Sequence, residues 1–318
     1  MARLLITGGC GFVGRELTSR ALSHFEVHVL DNLRSGRHRL WGMPASRFTL
    51  HEADIRDAES VRRVVRATKP DVIAHLAAVH FIPECEAEPD LAVSTNVLGT
   101  VNVLSAAPRG SRVIAISSAA VYAPAATPLD EATTAVQPMD VYGWTKAQGE
   151  EWTRYFAARS GFEGWSVRLF NVIGPGETNP HLVPEMVQQL REGAATLRVG
   201  NIDPKRDFID VGDAADGLLR LALAPAGALG QESGGTVNLG TGSAHSVREI
   251  LDCLAAVSGK SFTIETDPAR VRAVDRPVLL ASTARLRQVV GWAPSTPLRE
   301  TVARIWAEPG PNREPGDR

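Results

Sequence analysis

Lysine and cysteine are scarce in this chain, and net charge is almost nil. Only Lys69, Lys146, Lys205 and Lys260 are lysines among 34 basic residues, and 36 acidic residues leave a formal charge of −2 over 318 residues. That balance lacks the basic stripe a phosphate backbone needs, which argues against a nucleic-acid partner. The three cysteines, Cys10, Cys85 and Cys253, are far apart and odd in number. They match neither a disulfide framework nor a zinc-ligand spacing, so no metal site is expected and a reducing cytoplasm is the expected compartment. No uninterrupted apolar run approaches the roughly 18 residues of a membrane span, and the chain turns glycine-rich at Gly8, too early for a signal-peptide core. With 44% hydrophobic and 22% charged residues, the composition suits one large or two moderate globular domains.

The first half alternates short β-type runs with helical spacing. Strands are predicted at Arg3 to Thr7, Glu26 to Leu30, Phe48 to Leu50, Asp71 to His75, Arg112 to Ser117 and Trp165 to Phe170. Helices are predicted at Phe12 to Leu22, Ala58 to Ala67, around Asp90 to Ala106, and at Asp140 to Arg159. Strands separated by helices of this length need crossovers, so the fold class is α/β, a Rossmann-type doubly wound parallel sheet. Such sheets bind ligands at the carboxyl ends of their strands. After Asn171 the turn signals Gly174-Pro175-Gly176 and Asn179-Pro180 introduce shorter elements. The division expected is a dinucleotide-binding domain over 1–172, a smaller α/β substrate-binding domain over 173–307, and a flexible tail over 308–318. The strand and helix within 237–258 are candidates to return to the first sheet.

Thr7-Gly8-Gly9-Cys10-Gly11-Phe12-Val13-Gly14 follows the first strand and opens a helix. Glycines there permit a sharp turn, bring backbone N–H groups against a pyrophosphate and let helix and sheet pack closely. Asp31, at the end of the second strand, can accept hydrogen bonds from ribose hydroxyls and would repel a 2′-phosphate, which favours NAD over NADP. Arg34 and Arg37 pull the other way, since a nearby arginine can hold a 2′-phosphate. Asp54 and Ile55, after the third strand, offer one polar and one apolar neighbour to an adenine, although Asp54 would equally serve a helix N-terminus.

Tyr142 and Lys146 stand four residues apart, on one face of a predicted helix. An ammonium beside a phenol is expected to lower the phenol's pKa and make it a usable base. Ser117-Ser118 closes the preceding strand, where a serine can hydrogen-bond the hydroxyl that the tyrosine deprotonates.

These residues, with His75-Leu76-Ala77-Ala78, Ser117-Ser118-Ala119-Ala120-Val121-Tyr122, Asn171 to Gly176, Arg206-Asp207-Phe208 and Asn238 to Gly242, resemble the extended short-chain dehydrogenases/reductases of the sugar-nucleotide epimerase and dehydratase family. The resemblance implies a catalytic trio of Ser118, Tyr142 and Lys146. It implies that NAD, tightly retained, is held by Gly8, Gly11, Phe12, Val13, Asp31, Asn32, Ser35, Gly36, Asp54, Ile55, Leu76, Ala77, Ala78 and Asn96 together with Tyr142 and Lys146. It gives Asn171, Arg206 and Arg276 to the nucleotide diphosphate and Ser118 to the sugar hydroxyl; His80, in a segment that departs from the family pattern, either faces the sugar or is an ordinary loop histidine. A homodimer through the helices near Asp90 to Ala106 and Asp140 to Arg159 is also implied.

Family dehydratases carry an Asp-Glu pair directly after the catalytic Thr or Ser, to eliminate water. Here the positions are Ala119 and Ala120, whose methyl groups transfer no protons, so dehydration is not expected; Ser117-Ser118-Ala119-Ala120-Val121-Tyr122 resembles the 4-epimerases, which implies epimerisation at C4 of a nucleotide-diphosphate sugar through a transient 4-keto intermediate. The segments Val199 to Phe208 and Arg272 to Leu280 are similar to GDP-sugar members, whereas most 4-epimerases use UDP-sugars, and both bases stay open with a lean to GDP. The alternatives are an NAD(P)H-dependent reductase of an NDP-4-keto-6-deoxy sugar and a non-catalytic dinucleotide-sensing protein.

Overall fold

The computed structural model describes residues 1–34, 43, 45–177, 179, 181–225, 227, 235–271 and 276–308. Its main sheet has seven strands in the order β10-β6-β5-β4-β1-β2-β3. These are β1 (Arg3–Thr7), β2 (Glu26–Asp31), β3 (Phe48–Glu52), β4 (Val72–His75), β5 (Arg112–Ser118), β6 (Glu163–Leu169) and β10 (Gly235–Leu239), and every neighbouring pair is parallel. The crossover helices are α1 (Phe12–Ala21), α2 (Ala58–Thr68), α5 (Thr100–Ala106) and α6 (Val141–Ser160). Strand order reverses between β1 and β4, the place where an open parallel sheet leaves a crevice at its carboxyl edge.

Both faces of this sheet are covered, as a parallel sheet requires. Leu4 and Ile6 of β1 pack on one side with Leu17 and Ala21 of α1, while Leu5 between them joins Val61, Val65 and Leu104 on the other, the two-residue alternation of a strand. The helix read over Asp90 to Ala106 is α4 (Pro89–Val93), a wide π turn over Ser94–Gly99, and α5. The wide turn presents Asn96 inward, and a short helix α3 (Ile82–Ala87) precedes it.

The second half contributes to two cores. Helix α8 (Val211–Leu223) lies on the α1 side of the main sheet, with Leu218 and Leu221 in the same core as Leu17. Strand β10 returns to the main sheet beside β6, whereas α9 (Val247–Ser258) does not follow it. Its Ile250, Leu251 and Leu254 pack with Met186 and Leu190 of α7 (Leu182–Arg191) and Val302 of α11 (Leu298–Ala307). Around that second core run β7 (Asn171–Ile173), β8 (Thr196–Val199), β9 (Lys205–Asp210), β11 (Ala244–Ser246), β12 (Thr263–Thr266) and β13 (Val278–Leu279), with α10 (Ala284–Val290) before α11. Strand β9 is flanked by β11 and β13 and also pairs with β7, which directly follows the end of β6. The tail beyond Glu308 lies outside the described residues, and Glu308 itself accepts a hydrogen bond from Gly176 N–H at 3.0 Å. Among the described residues no helix is long and apolar enough to cross a membrane.

Two buried polar networks brace the carboxyl edge. In the first, Glu150 of α6 takes both ends of the Arg168 guanidinium at 2.7 and 2.8 Å and the Ser117 hydroxyl at 2.5 Å. Arg168 also lies 4.4 Å from the centre of the Tyr122 ring, whose hydroxyl donates to Asn238 of β10 at 2.7 Å. In the second, Thr100 donates its hydroxyl proton to Asn96 O (2.6 Å), so His75 Nε2 must be the donor in its 2.9 Å contact with Thr100. His75 Nδ1 then accepts from the Thr7 hydroxyl at 2.6 Å. Burial, helped by the nearby Lys146 charge, pushes the His75 pKa down to about 3, so the ring is neutral.

Removing one member of a buried ion pair leaves a desolvated charge. Glu150→Gln is therefore expected to lower unfolding free energy by about 3–5 kcal/mol in denaturant titration. For His75, the unfolded ring binds its proton near pH 6.5 and the folded one only near pH 3, so between these values the unfolded state holds more protons. Stability is full above pH 6.5 and falls with acid, by up to about 1.4 kcal/mol per pH unit. His75→Gln should flatten the acid limb relative to the parent, as read by denaturation at pH 7, 6 and 5.

Candidate active site

A single cavity of about 1100 Å³ runs along the carboxyl edge of the main sheet and over to the second core. One end is built on the glycine turn. Gly8 has φ of +72°, and a Cβ there would sit 2.6 Å from Ala77 N; a Cβ on Gly14 would sit 2.0 Å from Gly8 O. The turn thus packs backbone to backbone, and Gly8, Gly11, Phe12 and Val13 line the cavity. Asp31 closes this end, its carboxylate accepting from Cys10 N–H at 2.9 Å and Leu33 N–H at 2.8 Å. Burial, with Asp31 adding to it, pushes the Cys10 thiol up to about 12, so it is inert at neutral pH.

Asn32, Ile55, Leu76, Ala77 and Ala78 also line the cavity. Asp54 and Asn96 do not stand among the lining residues. Asp54 is clamped by the Arg56 guanidinium at 2.7 and 3.0 Å and by Asn32 at 3.0 Å, and the Arg56 bond heads the causes that hold its carboxyl down at about 2. The cavity-lining residue of that pair is Arg56, which sequence reading passed over. Asn96 is 2% exposed; it exchanges hydrogen bonds with the Val79 backbone in both directions at 2.8 Å and reaches Thr145 at 3.0 Å. Its position shapes the loop that follows β4. Ser35, Gly36 and Arg37 lie outside the described residues. Arg34 pairs with Glu84.

The middle of the cavity holds Ser118, Tyr142 and Lys146 together. Asp140 caps α6, accepting from Gly143 N–H at 2.7 Å, which starts the helix just before Tyr142. Ser118 stands near enough to the Tyr142 phenol to draw its pKa down, and its Oγ accepts from Ala120 N–H at 3.1 Å. Lys146 Nζ donates to Ile116 O at 2.9 Å and stands 5.7 Å from the centre of the Tyr142 ring. The expectation that Lys146 lowers the tyrosine pKa is not met. Burial pushes the phenol above its ordinary value, opposed by Ser118, and the Cys85 and Asp140 charges add to the rise. Burial likewise lowers Lys146 to about 8. Both groups are pressed toward their neutral forms, because desolvation is the largest influence on each.

At the far end Asn171, Arg206 and Arg276 line the wall. Arg206 donates to Arg276 O at 2.7 Å, and Arg276 donates to Ala120 O and Tyr122 O at 3.0 and 3.2 Å. The Arg206 guanidinium is thereby tethered to the backbone that leads into β13, and that of Arg276 to the turn that follows β5. His80 also lines the cavity, with Asn179 Nδ2 3.0 Å from its Nε2. His181 and Glu177 accompany it, in a segment whose only sequence signal was its turns.

The glycine cradle, the Asp31 carboxylate at the end of β2 and the Tyr142–Lys146 pair beyond them fit a dinucleotide laid along the cavity. Gly8→Ala forces a side chain into a left-handed conformation against Ala77, and is expected to weaken NAD binding by more than about 10-fold, or about 1.4 kcal/mol, in a fluorescence titration.

The family model described as the NAD dependent epimerase/dehydratase family matches residues 4–240. Over 96% of both chains the sequence is 29% identical to GDP-6-deoxy-D-mannose reductase of Pseudomonas aeruginosa. It is 32% identical to UDP-glucose 4-epimerase of Streptomyces lividans, covering 96% of this chain and 95% of that one. Among solved structures, UDP-glucose 4-epimerase of Thermus thermophilus in complex with NAD superposes with a TM-score of 0.83 at 28% identity, covering 96% and 97% of the two chains. With a sheet, a glycine turn and a Ser-Tyr-Lys cluster of this kind, the chain belongs to the NAD dependent epimerase/dehydratase family.

Proposed function

We propose that this chain interconverts C4 epimers of a nucleotide-diphosphate sugar, a GDP- or UDP-linked hexose or related sugar, through a transient 4-keto form. The observation that carries the reading is the Ser118–Tyr142–Lys146 cluster in the middle of one continuous cavity, followed in sequence by Ala119 and Ala120 where a dehydratase needs an acid and a base. Ser118 orients the sugar hydroxyl and Tyr142 takes its proton, then gives it back on the return step. NAD, held by the glycine turn and Asp31, would supply a reversible hydride acceptor for C4 and a positive charge that favours the Tyr142 phenolate. Lys146, held on Ile116 O, keeps an ammonium near the same place. Arg206 and Arg276 neutralise the diphosphate, which anchors the sugar while it turns over between the two hydride transfers.

NAD is favoured over NADP by Asp31 and, among the described residues, by the engagement of two nearby cations with carboxylates, Arg34 with Glu84 and Arg56 with Asp54. The smaller α/β unit around α7, α9 and α11 is the proposed nucleotide-sugar domain. Val93, Leu98, Trp144, Trp152 and Tyr155, from the π-turn region and α6, are 37–54% exposed and support a homodimer through these helices. Three free cysteines, two of them buried, suit a reducing cytoplasm.

The match with the Pseudomonas aeruginosa GDP-6-deoxy-D-mannose reductase over 96% of both chains supports a second reading, reduction of an NDP-4-keto-6-deoxy sugar by externally supplied NAD(P)H. Protein purified without added cofactor and incubated with UDP- and GDP-hexoses is expected to yield the C4 epimer by NMR. Turnover only of a 4-keto sugar, with stoichiometric NADPH oxidation, would replace epimerase by reductase. Tyr142→Phe should cost about 10²–10⁴-fold in kcat; unchanged turnover would remove the tyrosine from the chemistry.

A further inference from the structure

Three side chains in the cavity wall have no part in the chemistry above. His80 stands five residues past the end of β4, and Glu177 and His181 flank the turn into α7, with His181 at its N-cap. All three line the cavity. One donor atom from each lies within 4.8 Å of the other two, although His80 and His181 are about a hundred positions apart in sequence. No local spacing could have announced the group, which is why the sequence led to an expectation of no metal site.

Two imidazoles and a carboxylate form one of the three-ligand sets of zinc sites that keep a coordination position open. Tetrahedral bonds of about 2.0–2.1 Å place ligand atoms about 3.3 Å apart. The donors here need to close by at most about 1.5 Å to reach that spacing, a movement within the rotamer freedom of loop side chains. The protonation state suits a metal too. Asn179 Nδ2 can only donate, so in its 3.0 Å contact His80 Nε2 is the acceptor and presents its lone pair. The Asn179 backbone N–H meanwhile donates to Glu177 Oε1 at 3.0 Å. One residue thus spans two of the three donors, with the amide group at the place a cation would take on His80. The rings of His80 and His181 are 5.8 Å apart and tilted by 39°, and His181 meets Phe81 edge-on at 5.4 Å, which fixes the second imidazole against an apolar neighbour.

We propose that His80, Glu177 and His181 bind one divalent transition-metal ion of the zinc or cobalt class, with an open coordination position toward the cavity. The site goes beyond the epimerase reading and does not depend on it. If that reading holds, the open position takes an oxygen of the sugar, a hydroxyl or a carboxylate, and the metal becomes part of substrate selection.

The test uses full-length protein without a histidine tag, treated with a chelator and titrated with Co²⁺ alone. One equivalent per chain should bind, with the visible absorption of low-symmetry, four- or five-coordinate Co²⁺, and Zn²⁺ should displace it. Affinity should fall below about pH 6.5 as the imidazoles protonate. His80→Ala, Glu177→Gln and His181→Ala should each weaken binding by more than about 100-fold, because losing even an outer partner of a metal site costs 10–100-fold. Far-UV circular dichroism checks that each variant is folded, and Glu177→Gln preserves the side-chain shape if the alanine variants are not. Absence of Co²⁺ binding by the parent overturns the proposal, as does equal affinity in the His80→Ala/His181→Ala double variant. Tyr142→Phe must still bind Co²⁺, so loss of turnover and loss of the metal site are read separately.

Discussion

The buried carboxylate of Glu150 is the constraint on which the site depends. It sits one helical turn after Lys146 and two after Tyr142, and it is tied at once to Ser117 at the end of β5 and to Arg168 in β6. A charge this deep must keep its partners, since its desolvation is offset only at the observed geometry. Any slide of α6 along the sheet would break the pair, so the helix has one register. Through that register Tyr142 meets Ser118 and Lys146 meets Ile116 O. Arg168 extends the same tie to Tyr122 and on to Asn238 in the returning strand β10, so the late segment is fastened to the same point.

A second consequence of the fold is that the two walls of the cavity cannot separate freely. The chain passes from β6 into β7, which pairs with β9 of the small sheet, then returns through α8 and β10 to the main sheet. Arg276 reaches across from the small unit to the carbonyls of Ala120 and Tyr122. The cation density at the far end is thus built into the backbone of the catalytic end. Positioning of this kind reduces the freedom a bound substrate would have to lose.

At Tyr142, Lys146 and His75 burial sets the electrostatics more strongly than pairing does. Tyr142 is pushed up, Lys146 down to about 8 and His75 down to about 3, each toward its uncharged form. A ligand that brings positive charge into this cavity therefore acts where water contributes little screening, and it opposes the burial that holds the Tyr142 phenol protonated. The neutral His75 serves a separate purpose: it joins Thr7 beneath the glycine turn to Thr100 on α5, so the loop at Leu76 to Ala78 is held from below.

Much of the fold was legible in the sequence, because parallel strands and their crossover helices leave period-two and helical patterns within single segments. The glycine turn, Asp31 and the Tyr142–Lys146 spacing were legible for the same reason, as each is local. What escaped were relations across the chain. Asn96 and Asp54 carry the right residue types, yet Asn96 is absorbed by the Val79 backbone and Asp54 by Arg56. Helix α9 follows a strand of the main sheet but joins the second core, since its apolar face finds α7 and α11. The His80–Glu177–His181 group and the Glu150–Arg168 pair exist only once distant loops and strands are neighbours. The sequence by itself determined the element types and the chemistry-bearing residues; tertiary structure decided which of those residues share the cavity and at what protonation state, because burial and partnership depend on segments far apart along the chain.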